Sequence, residues 1–207
     1  MSRTERQEDK CMNYPLKKVV SVNGQDYLMD THDIALFHRT IYIFEEINEE
    51  TAKAVISALL CLDRESEDDI TIRILSPGGS VHAGFAIYDT IRALRSDVCT
   101  VACGLAASMA AFLLAAAGTK GKRWAHPNAE VLIHQPLGGA IGQASDIRIH
   151  AEHILRIRER LNRILAECTG QSVEKIDRDT ERDYIMQAEE ALAYGIVDHI
   201  GDPAAEQ

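Results

Sequence analysis

Apolar and polar residues repeat along the chain with two periods, and the switches between them lay out the elements. Val19 to Tyr27 reads as a short hairpin around Asn23-Gly24, a strong turn dipeptide. Arg39 to Phe44 reads as a strand, rich in β-branched and aromatic residues. Asn48 offers an N-cap, and Glu49 and Glu50 suit the first turn of a helix through Ala52, Val55, Ile56, Leu59 and Leu60. The charged run Asp63 to Asp69 predicts a surface loop.

Ile70 to Leu75 predicts the next strand, stopped by Ser76-Pro77-Gly78-Gly79-Ser80. Helical spacing returns at Ala83, Ile87, Ile91 and Leu94. Val98 to Cys103 predicts a buried strand that Gly104 ends, followed by an alanine-rich helix from about Ser108 to Ala117. Val131 to Ile133 is a short strand. A long amphipathic helix covers roughly Ser145 to Glu167, with Ile147, Ile154, Ile157, Leu161 and Ile164 near helical spacing. A helix from about Ala188 and a strand over Ile196 to Ile200 close the chain. Strands alternating with helices predict an α/β domain of right-handed β-α-β units, in which ligands sit where strands end and helices begin.

Composition narrows the picture. The 207 residues suit one domain with a sizeable core. The net charge of −10 weighs against a general nucleic-acid or anionic-membrane binder. Cys11, Cys61, Cys99, Cys103 and Cys168 are odd in number and scattered, with no Cys-x-x-Cys pair, so a reducing, cytoplasmic setting is expected and no metal site. The start, Met1 to Lys10, is too polar for a secretory signal. The apolar stretch Met109 to Ala117 is too short to span a membrane. The expected organisation is a flexible or processed segment over 1–18, a single domain over 19–201 and a tail over 202–207.

Three places carry candidate chemistry. Ser108 follows a buried strand and small residues and opens a helix, where free amides and positive potential would stabilise an anion. Read locally, it is more readily a helix cap than a nucleophile, since no Gly-x-Ser-x-Gly elbow surrounds it. Gly78 and Gly79 follow a strand, where they can expose amides as an oxyanion hole requires, or simply make a turn. His134 closes the strand Val131–Ile133, and Asp183 lies in the charged run Arg178 to Asp183. His150 and His153 lie three apart on the long helix, without a His-Glu-x-x-His motif, and read as a solvated face.

The combination is more specific than its parts. From Ile72 to Ile200 the chain resembles the ClpP family, the proteolytic subunits of the ATP-dependent Clp protease. The matching blocks are Ser-Pro-Gly-Gly-Ser at 76–80, Ala-Gly-Phe-Ala-Ile-Tyr-Asp-Thr at 83–90, Gly-Leu-Ala-Ala-Ser-Met-Ala at 104–110 and Lys-Gly-Lys-Arg at 120–123. Then come His-Gln-Pro-Leu-Gly-Gly at 134–139, Gly-Gln-Ala-Ser-Asp-Ile at 142–147, Thr-Gly-Gln-Ser at 169–172 and Arg-Asp-Thr-Glu-Arg-Asp at 178–183. The resemblance implies a ClpP/crotonase-like repeated β-β-α superhelix with the long helix as a protruding handle. It implies a catalytic triad of Ser108, His134 and Asp183, with the backbone amides of Gly79 and Met109 as the oxyanion hole. It also implies stacked heptameric rings joined through the handle, with Gln143, Asp146 and Arg182 at the ring junction, and an AAA+ unfoldase that consumes the ATP. No cofactor is expected for the bond cleavage itself.

The chain departs from the family pattern at named positions. Arg73 stands where the family typically has a tyrosine, and Ala93 where a bulky apolar residue is common, both in the pocket that docks the unfoldase. An arginine there carries a large desolvation cost unless paired. The stretch Asp30 to His38 replaces the block that precedes the first strand in the family. Two alternatives to an active peptidase stay open: a non-catalytic paralogue in a mixed ring, and an acyl-CoA enzyme of the crotonase relatives, which lack the Ser-His-Asp set.

Overall fold

The computed structural model describes residues 17–22, 24–139 and 141–205. The chain divides into two compact units, residues 1–38 and 39–207. Cys11 and most of the 1–18 segment lie outside the described residues.

The first unit contains β1 (Lys18–Val22) and β2 (Gln25–Met29), paired antiparallel with Val22 opposite Gln25. The hairpin connection is therefore two residues long, with Gly24 at φ +79°. A helix that the sequence pattern did not predict follows, α1 (Thr31–Phe37). Asp30 caps it, accepting from the amides of His32 and Asp33 at 2.8 Å each.

The second unit opens with β3 (Thr40–Ile43), α2 (Glu49–Glu65), β4 (Ile70–Ser76) and α3 (Val81–Arg92). Asn48 caps α2 as its sequence predicts, accepting from Glu50 and Thr51. That helix runs to Glu65 and takes in the first part of the charged run assigned to a loop. Its apolar side keeps the buried residues Val55, Leu59 and Leu62 in step, so the charges after Leu62 ride on a turn already paid for by packing.

Next come β5 (Val98–Ala107), α4 (Met109–Phe112), β6 (Arg123–Ala125) and β7 (Glu130–Ile133). Gly104 does not end β5 as expected. The strand passes through it at φ +91°, and the register against β4 shifts between Ile74 and Ser76. The glycine thus makes an irregularity inside a ten-residue strand. This length lets β5 serve two parallel neighbours along one edge, β6 over Thr100–Ala102 and β7 over Leu105–Ala107. The alanine-rich helix is present, but its second half, Leu113–Ala117, widens to π spacing.

The remaining elements are α5 (Ala144–Thr169), α6 (Val173–Asp179), β8 (Tyr184–Gln187), α7 (Ala188–Tyr194) and β9 (His199–Ile200), with a short 3₁₀ turn at Pro203–Ala205. The sheet order is β3-β4-β5-β6-β9, with β7 beside the upper half of β5 and β8 antiparallel to β7. Every other pairing in this sheet is parallel. This is the α/β architecture that the sequence predicts.

Alternation along β4 decides which face is covered. Ile70, Ile72, Ile74 and Ser76 point into the core, while Thr71, Arg73 and Leu75 point away from it. Ile43, Ile47, Leu59, Ile87, Leu113, Leu114 and Ile176 complete a core with almost no solvent contact. Each such side chain contributes roughly 1.5–3 kcal/mol on burial. The long helix splits along its length. Leu161, Leu165 and Ala166 join the core, whereas Ile147, Ile149 and Leu155 are exposed. Of the predicted stripe, the chain thus buries Leu161 and half-buries Ile154, Ile157 and Ile164 by itself, and leaves Ile147 open.

Candidate active site

Ser108 sits between the last residue of β5 and the first residue of α4. Its φ of 56° and ψ of −121° place an L-residue in a region that glycine favours. Such backbone costs on the order of 1–3 kcal/mol and persists only where its surroundings fix it. Here β7 does so: the Ser108 amide donates to the Leu132 carbonyl at 2.8 Å. The Ser108 carbonyl then accepts from Phe112 at 3.1 Å and starts the helix.

The side chain makes no capping hydrogen bond. The local alternative of a helix cap is therefore corrected: at φ 56°, ψ −121° Ser108 lacks the extended backbone from which a capping side chain meets the first-turn amides. It lies instead 2.8 Å from Nε2 of His134. Nδ1 of His134 lies 3.2 Å from Oδ1 of Asp183. The serine, the histidine and the aspartate are thus brought into one chain of contacts from three distant parts of the sequence.

The register of β7 and β8 explains the second contact. Glu130 pairs with Gln187, and the ladder runs to Ile133 opposite Tyr184. One step further along the same register are His134 and Asp183. The charged run that ends at Asp183 therefore delivers a residue to the histidine, although Asp183 itself remains largely exposed, at 67%.

The glycines after β4 lie beside the serine. Ile47 holds them in a single parallel bridge, its amide donating to the Gly78 carbonyl at 2.8 Å and its carbonyl accepting from Ser80 at 2.7 Å. This geometry turns the Gly79 amide away from Ile47. Among the described residues neither the Gly79 amide nor the Met109 amide has an acceptor. Gly78 is required by space: a Cβ there would lie 2.6 Å from the Ala107 carbonyl, 2.7 Å from Cβ of Ser108 and 2.9 Å from the Met109 nitrogen. Buried Ser76 braces the loop, donating to the Glu45 carbonyl at 2.6 Å and accepting from Gly78 at 3.1 Å. Composition gave no signal for Ser76 beyond its place before Pro77.

Two recesses meet at Ser108 and His134. One is a groove of about 330 Å³ walled by Glu46, Gly78, Gly79, Val81, Pro136 and Leu137. The other is a small pit of about 30 Å³ lined mainly by Met109, Phe112, Ile133, Leu161 and Leu165. Sequence reasoning missed the pit because its walls are ordinary core positions of α4, β7 and α5.

The residues expected at a ring junction are not gathered with the triad. Gln143 precedes α5 and Asp146 lies in its first turn, both exposed, and Arg182 is an exposed neighbour of Asp183. Within the described residues their side chains form no hydrogen bond or ion pair.

Arg73 is paired. Its guanidinium grips Asp202 through two bonds, Nη1–Oδ2 at 2.7 Å and Nη2–Oδ1 at 2.9 Å. Nε2 of His126 lies 3.1 Å from the same carboxylate, and the Ala204 amide donates to it at 2.9 Å. The Arg73 bonds hold the Asp202 carboxyl well below the usual carboxylate range. The desolvation cost raised by an arginine at this position is thereby offset, and the residues following β9 are tied to β4. Ala93 is exposed at the end of α3.

The four described cysteines are free thiols, and burial pushes Cys99 and Cys168 up to about 11 each, which keeps them protonated. No group of metal-ligating residues forms among the described residues, and no described helix is long and apolar enough to cross a membrane.

A family model described as Clp protease matches residues 23–204. The chain belongs to the Clp protease family. The match covers most of the 207 residues and extends well before Ile72, where the motif resemblance began. The fold and the ClpP-type peptidase character follow from that membership, and with them a general association with Clp unfoldases and ring assembly.

Proposed function

We propose that this chain is a catalytically active proteolytic subunit, a serine endopeptidase that hydrolyses unfolded proteins and peptides. The observation that carries the reading is the contact chain Ser108 Oγ–His134 Nε2–Asp183, at 2.8 and 3.2 Å, where a groove edged by Gly79 meets a pit edged by Met109, two residues whose amides have no acceptor among the described residues.

In this reading a peptide lies in the groove with its carbonyl oxygen toward the amides of Gly79 and Met109. His134 takes the proton of Ser108 as Oγ attacks the carbonyl carbon, then gives it to the leaving amine. Asp183 orients the imidazole and stabilises the imidazolium. The two amides stabilise the oxyanion, each worth about 2.7–4 kcal/mol of the barrier by analogy with other acyl-transfer sites. Water then hydrolyses the acyl-enzyme by the same proton route in reverse. The apolar pit next to Ser108 suits an apolar side chain beside the scissile bond.

The assembly we propose is two stacked heptameric rings enclosing a chamber, fed by an AAA+ Clp unfoldase that consumes the ATP. The exposed Ile147, Ile149 and Leu155 on the first half of α5 support a partner surface there, flanked by Gln143 and Asp146. The polar Arg73–Asp202–His126 cluster marks the face where this chain departs from its family's apolar docking pocket. The test combines light scattering with cleavage of an unfolded protein and of short peptides. Activity carried by a particle of about fourteen subunits supports the reading. A monomer with full activity overturns the assembly, and an assembled particle that cleaves nothing favours the non-catalytic paralogue.

A further inference from the structure

Among the described residues the Asp183 side chain makes one polar contact, to His134, and it is mostly exposed. Its position is therefore set by the backbone that carries it rather than by packing around the carboxylate. The β7–β8 ladder stops at Ile133 and Tyr184, one residue short of both His134 and Asp183. What holds the two segments together beyond that point is Gln135. Its amide donates to the Thr180 carbonyl at 2.6 Å, and its side-chain Nε2 donates to the Glu181 carbonyl at 2.9 Å.

Gln135 is held in turn by Arg158, from the middle of α5. Nη1 of Arg158 donates to Oε1 of Gln135 at 3.1 Å. Nη2 lies 2.9 Å from the Glu181 carboxylate and also reaches the Asp177 carbonyl at 3.2 Å. Nε donates to the Asp177 carboxylate at 3.0 Å, which Asn162 also holds at 3.0 Å. One guanidinium with 18% of its side chain exposed thus touches the residue after His134 and, in Glu181, the residue two before Asp183. All its nitrogens are used, in a fan that an ammonium cannot span.

We infer that Arg158 is a positioning residue for the reaction: it locks the segment after His134 to the segment before Asp183 and ties both to α5. The inference rests on the peptidase reading above. Arg158 touches neither Ser108 nor the groove, so its effect falls on the alignment of the imidazole and leaves peptide binding alone. Misplacement of a reacting group by about 1 Å costs on the order of 10²-fold in rate.

The experiment measures peptide cleavage by the full chain and its Arg158→Met, Arg158→Lys and Arg163→Met variants. Arg163 lies on the same helix and, among the described residues, pairs only with exposed Glu159. Competent sites are counted by fluorophosphonate titration, and particle mass and Tm are recorded for each protein. Arg158→Met is expected to lower kcat per titrated site about 10- to 100-fold with KM within threefold, at unchanged particle mass. Arg158→Lys should fall between it and the unsubstituted chain, Arg163→Met should match the unsubstituted chain, and adding Glu181→Gln to Arg158→Met should cost little more. A kcat within twofold of the unsubstituted chain, or a loss accounted for by mass or Tm, overturns the inference while leaving the peptidase reading intact. An unsubstituted chain that neither labels nor cleaves overturns both.

Discussion

Ile133 and Tyr184 are the last registered pair of the antiparallel β7–β8 ladder, and the residue beyond each is His134 and Asp183. A separation of about fifty residues in sequence is thus closed by strand register, which brings the two residues opposite each other before Gln135 and Arg158 fix their segments. Register has period two, so a one-residue slip would turn Asp183 to the other side.

The first prediction follows from this pairing. Asp183→Asn should leave the ladder and the fold unchanged, because the side chain is exposed and, among the described residues, bonds only to His134. It should lower kcat by roughly 10²–10⁴-fold, since an amide can hold the imidazole in the wrong tautomer and cannot stabilise its charge. Steady-state kinetics beside a thermal melt checks it. An unchanged kcat would remove Asp183 from the mechanism.

Strain at Ser108 gives the second. Ser108→Ala and Ser108→Gly both remove the hydroxyl, but only glycine is at ease at φ 56°, ψ −121°. The glycine variant should be the more stable of the two by about 1 kcal/mol. Denaturant titration of the pair tests this; equal midpoints would mean that the backbone relaxes once the serine is gone.

The third concerns acid stability. Bonding from Arg73 first, and contact with His126 among lesser causes, depresses the Asp202 carboxyl in the folded chain. An unfolded aspartate titrates near about 3.9. Depression of the folded value means that the stabilisation is complete above that pH and is lost as pH falls through the lower, folded value. Thermal midpoints measured downward from about pH 5 should therefore fall for the unsubstituted chain, and Asp202→Asn, already weaker at neutral pH, should fall less steeply. Parallel curves would exclude Asp202 as a contributor.

The outline of the fold was legible because core-facing residues keep strict periods, as Ile70, Ile72 and Ile74 do on β4 and Val55, Leu59 and Leu62 do on α2. Gly104 misled because a glycine ends a strand or bends it according to the neighbours it must pair with, and those neighbours are distant in sequence. The short elements β6, α6 and β8 escaped notice because each holds no more than about two repeats of its own period. At the site, Ser108 alone was ambiguous. The ordered motifs singled out His134 and Asp183, while Arg158 and Gln135 stayed hidden because their roles exist only in the packing of α5 on the β7–β8 end. Arg73 looked costly until its partner, Asp202, appeared 129 residues away.

The most direct test of the central claim is the intact mass and peptide map of the chain after reaction with a fluorophosphonate. The account predicts a single adduct on Ser108, lost in Ser108→Ala and strongly slowed in His134→Ala. No adduct on the folded chain, or an adduct on another serine that survives Ser108→Ala, would contradict it.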